Sequence, residues 1–288
     1  MKTYNLNEKA FRMKASQYLR EYLGYSGRIL RNIEIYLDDE RIRTTTKLPK
    51  SGVLKIIEKV KETNIKPLEM KLDIIYEDDD LLIVNKPPFL LTHPTMKKAD
   101  ITLANGIVYY YKEKYDKELV TRFINRLDMN TSGIILLAKN AYTQSFMQSD
   151  EAEIIKKYLA IAEGIPETSS FIVEAPIYRN GDDLARIIDD RGKYSKTKFE
   201  VIKKYSHLDL SLIECQLFTG RTHQIRVHLK HIGHPIIGDT LYNPESIYNK
   251  IANRQMLHSY YISFNHPTTK EKMEFKIPIY KDMKEILE

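Results

Sequence analysis

From residue 73 onward, the sequence is divided into short apolar runs that are typical of β-strands. Examples are IIY and LLIV on either side of Glu77–Asp80, IILLA at 134–138, KTKFEVIKKY at 196–205, LDLSLIECQLFT at 208–219, HSYYISFNHP at 258–267 and KMEFKIPI at 272–279. Helical spacing is visible only at 101–115 and in the run that begins at Ala141. A parallel nucleotide-binding sheet requires regular alternation of strands and helices, and that alternation is missing. The pattern predicts a strand-rich α+β fold.

The composition leaves a globular intracellular protein as the simplest expectation. The chain has 288 residues, a formal net charge of +6 and one cysteine, Cys215. One cysteine excludes an intrachain disulfide framework and favours a reducing compartment, and no apolar run is long enough for a membrane span or a secretory signal. We therefore expect a cytoplasmic protein. The excess of positive charge is compatible with a phosphate-rich partner but does not identify one.

Residues 1–62 form a candidate domain of their own. Tyr25-Ser26 between two glycines predicts a turn between two short helices, with Ser26 as the N-cap of the second helix. Asp38-Asp39 predicts a hairpin, and VLKII predicts a closing strand. This order resembles an S4-type RNA-binding domain; the alternative is a small packing domain with a solvated basic face. The candidate phosphate-binding side chains are Lys14, Arg20, Arg28, Arg31, Arg41 and Arg43. Residues 63–72 read as a linker to a second domain at 73–288.

The common catalytic motifs do not account for this chain. Neither a GxxxxGK[ST] phosphate loop nor a strand-linked GxGxxG is present. A histidine group at 223, 228, 231 and 234 suggests zinc, but its spacing fits no common zinc motif, so hydrogen-bonding or surface histidines are the simpler interpretation. A triad of Ser132, His223 and an aspartate is conceivable, although Ser132 lacks the GxSxG elbow.

Two segments stand out as candidate functional sites. In the first, RLDMNTSG (126–133), a guanidinium and a carboxylate lie two residues apart in a polar turn before a buried strand. Such a turn is held from behind and open in front, although a surface turn with a capping aspartate has the same pattern. The second, TGRTHQIRVHLKHIGHPIIGD (219–239), combines arginines and histidines with an apolar row, which also suits a phosphate-binding helix.

Taken together, the sequence resembles the pseudouridine synthases of the ribosomal-large-subunit type. Five blocks match in order: DIIYEDDDLLIVNKPPFLLTHP (73–94), NRLDMNTSGIILLAKN (125–140), KKYLAIAEG (156–164), LFTGRTHQIRVHLKHIGHPIIGDTLY (217–242) and LHSYYISFNHP (257–267). The family usually has histidine where this chain has Asn125. Because asparagine can also hydrogen-bond, we expect this departure to affect local detail rather than activity.

The resemblance implies a fold, a reaction and a set of residues. The implied fold is a bent, mixed, mostly antiparallel sheet with peripheral helices and a basic cleft. The reaction isomerises uridine to pseudouridine in ribosomal RNA of the large subunit or in tRNA, without a cofactor or metal, and a monomer is the default state. Asp128 matches the catalytic aspartate, either as a nucleophile or in an elimination, and Arg226 would keep it ionised and oriented.

Further residues follow from the same resemblance. Arg126 would fill the space of the flipped uridine, and Tyr158 would stack on the uracil. Ile225 would pack beneath the base, whereas Arg221 and His223 would contact RNA or brace the loop. Lys86-Pro87 would form a structural corner. A non-catalytic RNA-binding protein and a DNA glycosylase are the rival interpretations. The first would be favoured if Asp128 or Arg226 were missing, and both are present.

Overall fold

A computed structural model describes residues 2–58, 63–94, 101–117 and 119–288. The predicted end of the first domain, residues 59–62, lies outside the described residues, as does the side chain of Arg28. None of the helices in the described ranges is long and apolar enough to cross a membrane.

The N-terminal unit is a four-stranded sheet with two short helices. The strands β1 (Lys2–Asn5), β2 (Ile33–Leu37), β3 (Glu40–Ile42) and β4 (Val53–Glu58) pair antiparallel in the order β1-β4-β2-β3, and the helices are α1 (Ala15–Glu21) and α2 (Gly27–Leu30). The predicted cap is confirmed, because the Ser26 hydroxyl accepts a hydrogen bond from the Ile29 N–H. The predicted hairpin is confirmed too: Asp38 and Asp39 have φ of 47° and 70°, the left-handed values of a tight hairpin turn.

A ten-stranded mixed sheet forms the rest of the molecule. Its elements in chain order are β5 (Ile74–Glu77), β6 (Leu81–Lys86), α3 (Leu103–Tyr115), β7 (Arg122–Phe123), β8 (Ser132–Ala138), α4 (Ala141–Met147), β9 (Ile155–Glu163), β10 (Ser170–Glu174), β11 (Ile177–Tyr178), β12 (Ile187–Ile188), β13 (Lys196–Tyr205), β14 (Leu210–Leu217), α5 (Gln224–His231), β15 (Leu257–Asn265), β16 (Lys272–Lys276) and α6 (Lys281–Leu287). The strand order is β10-β13-β14-β9-β15-β8-β6-β5, with β16 on β15 and β7 on β8, while β11 and β12 pair separately.

One parallel pairing interrupts the antiparallel sheet. Strands β8 and β15 run in the same direction where Gly133 lies opposite Ser259. Gly133 has φ of +116°, and a Cβ there would lie 2.2 Å from the Ser259 carbonyl oxygen, so only glycine fits. The loop that carries Arg126 and Asp128 enters β8 at this junction.

Both faces of the central strands are buried. In β6, Leu82 and Val84 join the core beneath the cleft, whereas Leu81 and Ile83 pack with α4 on the opposite face. Strands covered on both sides read as continuous apolar runs, which explains LLIV and IILLA. Helix α4 is shorter than the sequence suggests, because it ends at Met147 and β9 begins as early as Ile155.

The N-terminal unit contacts the main sheet directly. The ring of Tyr25 lies 4.9 Å from that of Tyr142 on α4. The Lys2 ammonium lies 2.7 Å from the buried Asp80 carboxylate, and Glu58 accepts a hydrogen bond from the Ala141 N–H at 2.8 Å. Residues 2–58 are therefore packed against the larger unit rather than joined to it only by the chain.

Candidate active site

A cleft of about 680 Å³ opens beside the parallel junction. Its walls are the loop before β8, the start of β9, the end of β14 and the first turn of α5. Every site residue that the sequence predicted lines it: Arg126, Asp128, Tyr158, Arg221, His223, Ile225 and Arg226. Segments that are far apart in the sequence, from Leu91 to Leu257, therefore meet in one cavity.

Side chains from distant segments hold the carbonyls of the Asp128 loop. The Thr92 hydroxyl donates to the Leu127 carbonyl at 2.9 Å, and the Lys86 ammonium donates to the Met129 carbonyl at 3.0 Å. Arg254 donates to the Asn130 carbonyl at 3.0 Å. Since buried backbone carbonyls need partners, these donors select one loop conformation and aim the Asp128 side chain into the cleft.

Asn125 takes the place of a strand residue at the start of this loop. Its amide NH₂ donates to the Ile134 carbonyl at 3.0 Å, and its amide oxygen accepts from the Leu136 N–H at 2.8 Å. The side chain thereby fastens the loop to the edge of β8. This geometry explains how the chain accommodates Asn125.

Asp128 belongs to a buried row of charges. Arg226 Nη1 donates to Asp128 Oδ2 at 2.9 Å, while its Nε and Nη2 donate to the two Asp239 oxygens at 2.6 and 2.8 Å. The Asp239 side chain is 1% exposed and the Asp128 side chain is 29% exposed. Burial lowers the pKa of Arg226, but the two carboxylates outweigh it and raise that pKa overall. Asp239 fixes the guanidinium from behind, so its remaining face presents one donor to Asp128.

His223 lies on the other side of the carboxylate. It precedes α5 in a left-handed conformation, with φ of 60°, and its Nε2 lies 3.8 Å from Asp128 Oδ2. Its Nδ1 shares a hydrogen bond of 2.9 Å with the Tyr242 hydroxyl. Burial lowers the pKa of His223, although Asp128 opposes that shift. The imidazole therefore favours the neutral form at physiological pH.

Tyr158 and Ile225 supply the apolar surface of the cleft. Both are almost fully buried, at 5% and 4% exposure. The Tyr158 hydroxyl hydrogen-bonds to Ser259, and burial raises its pKa, so the phenol stays protonated. A flat aromatic ring next to a carboxylate is suited to hold a planar base.

Cations surround the mouth of the cleft. Arg126 and Arg221 are exposed, and Arg221 Nε donates to the Tyr194 carbonyl at 3.2 Å. Lys156 also lines the cleft, two residues before Tyr158 on the same face of β9, and burial lowers its pKa. His93 packs edge-on against Phe123 with ring centroids 4.3 Å apart, and burial and the neighbouring Arg126 lower its pKa.

Sequence reasoning missed the residues that support the site. Thr92, Arg254 and Asp239 were not predicted as site residues. Lys86 was predicted only to form a structural corner of the chain together with Pro87. Lys86 donates to the carbonyls of Pro87 and Leu90 as well as Met129, with no carboxylate among these partners. Asp239 lies in the matched block 217–242, directly after Gly238, but no local pattern assigns it to Arg226.

The alternative catalytic groupings do not form. Ser132 is fully buried and hydrogen-bonds to His258, not to His223. His228 is bonded to Thr197 and the Ala175 carbonyl, and His234 to the Glu163 carbonyl. Across the described ranges, no three histidine, cysteine or acidic side chains converge as metal ligands.

Comparison with known proteins points to one family. The family model for RNA pseudouridylate synthases matches residues 80–231. The uncharacterized RNA pseudouridine synthase YjbO of Bacillus subtilis is 35% identical over 286 residues, covering 96% of this chain and 98% of its own. Ribosomal large subunit pseudouridine synthase D of Buchnera aphidicola is 37% identical over 239 residues, covering 77% and 74% of the two chains.

A solved structure agrees with the sequence relatives. Human RNA pseudouridylate synthase domain containing 1 superposes with a TM-score of 0.59 at 29% identity, covering 72% of this chain and 83% of its own. The mixed sheet described above is thus the pseudouridine synthase fold, as the sequence predicted. The chain belongs to the RNA pseudouridine synthase family, the enzymes that isomerise uridine to pseudouridine in RNA.

Proposed function

We propose that Asp128 is the essential carboxylate of this isomerase. The observation that carries the proposal is the hydrogen bond of 2.9 Å between Arg226 and Asp128, at a loop whose carbonyls are held by Thr92, Lys86 and Arg254. Preorganised charge beside a reacting group lowers a barrier without reorganisation during the reaction. A carboxylate that is hydrogen-bonded to a guanidinium, oriented by it and 29% exposed meets this requirement.

The proposed reaction conserves every atom of the nucleotide. The C1′–N1 bond breaks, the detached uracil turns, and C1′ bonds to C5; N1 gains a proton and C5 loses one. Asp128 assists the first cleavage, either by attacking the sugar or by supporting elimination. Tyr158 and Ile225 hold the base during its rotation, since both are buried in the wall of the cleft.

Access to the uridine requires extrusion from its stack. A base that reaches Tyr158 and Ile225 in the wall of the cleft has left its helical stack, and extrusion costs a few kcal/mol. We assign Arg126 to the vacated position because it is exposed at the mouth, two residues from Asp128, and a guanidinium can stack on bases. Arg221 and His223 complete the RNA-facing rim.

The proposed substrate is structured RNA, with ribosomal RNA first and tRNA second. The support is the Buchnera relative, which is named for the large ribosomal subunit. A direct test is pseudouridine mapping of RNA from cells with and without the gene. The expected result is loss of one or a few modified positions that the wild-type gene restores.

The essential role of Asp128 is tested with purified protein and tritiated uridine transcripts. Asp128→Asn is nearly isosteric and should abolish tritium release while the melting temperature and RNA binding stay near wild type. Asp79→Asn is the matched control, because Asp79 is exposed on the β5–β6 turn. Substantial turnover by a folded Asp128→Asn protein would overturn the assignment.

We also propose that residues 1–62 act as an S4-like RNA-binding domain joined through 63–72 to the catalytic domain at 73–288. The support is a set of exposed basic side chains on the N-terminal unit, Lys14, Arg20, Arg31, Arg41 and Arg43. Replacing Arg20 and Arg43 with alanine should weaken RNA binding and reduce its salt dependence, with a slope change of about 0.7–0.9 per lost phosphate contact. An unchanged salt slope would contradict this role. The monomeric state and the cytoplasmic location stay predictions.

A further inference from the structure

Leu184 is a strongly exposed apolar residue at the mouth of the active site. It is 79% exposed and lines the cleft together with Arg186. It lies between β11 and β12, in a segment that the matched sequence blocks do not include. Since exposed leucines carry a hydration cost, one at a catalytic cleft is a candidate contact for the substrate.

The backbone around Leu184 is held in place. Arg186 Nη1 donates to the carbonyls of Asp183 and Leu184 at 2.8 and 2.9 Å. These two bonds fold residues 183–186 into a turn around the Arg186 guanidinium. The Arg186 N–H donates to the Tyr242 hydroxyl at 2.7 Å, and Ala185 packs on the small cluster that contains Tyr242. Leu184 is therefore presented outward by a braced segment.

The brace is shared with the catalytic residues. The Tyr242 hydroxyl also bonds to His223, and the Tyr242 ring lies 4.9 Å from the Arg226 guanidinium. The position of Leu184 is thereby tied to the two groups that flank Asp128. A contact made by Leu184 therefore has a fixed position relative to Asp128.

The surroundings of Leu184 select the kind of partner. The exposed Arg126 and Arg221 line the same cleft and suit phosphates, whereas a leucine side chain suits the face of a nucleobase. Apolar side chains, including leucine, insert beside unstacked bases in many complexes with nucleic acids. Arginines that bind phosphates beside a leucine that packs on a base suit an RNA strand in which one base has left the stack.

We infer that Leu184 packs on the nucleobase next to the extruded uridine and so stabilises the opened RNA. The inference rests on the proposed function, because it assumes a flipped uridine at Asp128. It makes Leu184 a specificity-determining residue that senses the neighbour of the target. The alternative is that Leu184 covers the cleft without touching RNA.

A tryptophan at this position reports the contact directly. The chain has no tryptophan, so Leu184→Trp introduces a single fluorophore of that type. Ile247→Trp is the matched control, since Ile247 is 71% exposed and does not line the cleft. A substrate stem-loop should quench the Leu184→Trp emission by stacking and leave Ile247→Trp unchanged. Equal responses of the two variants would overturn the inference.

Kinetics separate the contact from a structural effect. Leu184→Ser should lower kcat/KM roughly tenfold on a stem-loop whose target uridine is stacked. This is the loss expected when part of the apolar area that leucine buries against the RNA base is removed. The loss should shrink on an RNA whose target uridine is bulged, because less opening is required. Ile247→Ser should match wild type in both. Equal losses on both RNAs, or wild-type kinetics, would refute the role of Leu184.

These outcomes are distinct from failure of the proposed function. If wild-type protein forms no pseudouridine in any RNA, the proposed function fails. If wild type is active and Leu184→Ser equals it, only the Leu184 contact fails.

Discussion

The arginine that pairs with the proposed catalytic carboxylate leads to a sharp prediction for Asp239→Asn. Asp239 binds Arg226 through two hydrogen bonds of 2.6 and 2.8 Å, with both side chains less than 10% exposed. The variant keeps an oxygen acceptor but loses the charge. Removing one partner of a buried pair costs about 3–5 kcal/mol, and Arg226 retains Asp128, so we expect about 2–3 kcal/mol here.

That free energy translates into a measurable loss of thermal stability. At about 2–4 °C per kcal/mol for a domain of this size, the melting temperature should fall by roughly 5–10 °C. The matched control is Asp189→Asn, because Asp189 also binds an arginine, Arg191, through bonds of 2.8 and 2.7 Å, but at the surface, where the Arg191 side chain is 65% exposed. Solvent screens such a surface pair and weakens its contribution to stability, so the control should shift the melting temperature by little.

Asp239→Asn should also reduce kcat more than it raises KM. Arg226 is oriented by Asp239, and a small misplacement of a group beside the reacting centre costs up to about 100-fold in rate. Tritium release below the melting temperature of the variant gives kcat and KM separately. If the variant melts like wild type and turns over at the wild-type rate, the role assigned to Asp239 is wrong.

Two further predictions concern the loop that carries Asp128. Burial and the nearby Arg254 lower the pKa of Lys86 to about 7, so the unfolded chain binds more protons between pH 7 and the ordinary value of 10.5. Stability of wild type should therefore rise relative to Lys86→Met across that range, measured by thermal melts at several pH values; parallel curves would contradict it. Asn125→Leu removes two hydrogen bonds to β8 and leaves both backbone groups unpaired, so we expect about 2 kcal/mol of destabilisation. Its kcat should fall too, whereas Asn125→His, the usual family residue, should retain most activity; a fully active Asn125→Leu would show that the loop needs no such fastening.

The sequence by itself determined the local elements, and its resemblance to one family singled out Asp128 as the candidate reacting group. Alternating and continuous apolar runs specify strands because side-chain exposure follows the pleat, and the hairpin at Asp38 and the cap at Ser26 depend only on residues next to them. Family resemblance added the pairing of Asp128 with Arg226. The strands, the hairpin and the cap need no knowledge of the distant chain, whereas Arg226 lies 98 positions from Asp128.

Only the tertiary structure decided what holds the site and what surrounds it. Lys86 is 43 positions from the carbonyl of Met129 that it binds, and Arg254 is 124 positions from that of Asn130. A single side chain far away leaves no periodic signal, because its partner is chosen by how the strands pair. The exposure of Leu184 is likewise set by every segment that packs, or does not pack, around it. The family resemblance therefore singled out Asp128 as the candidate catalytic residue, whereas its support and its rim arise from contacts that only the folded chain creates.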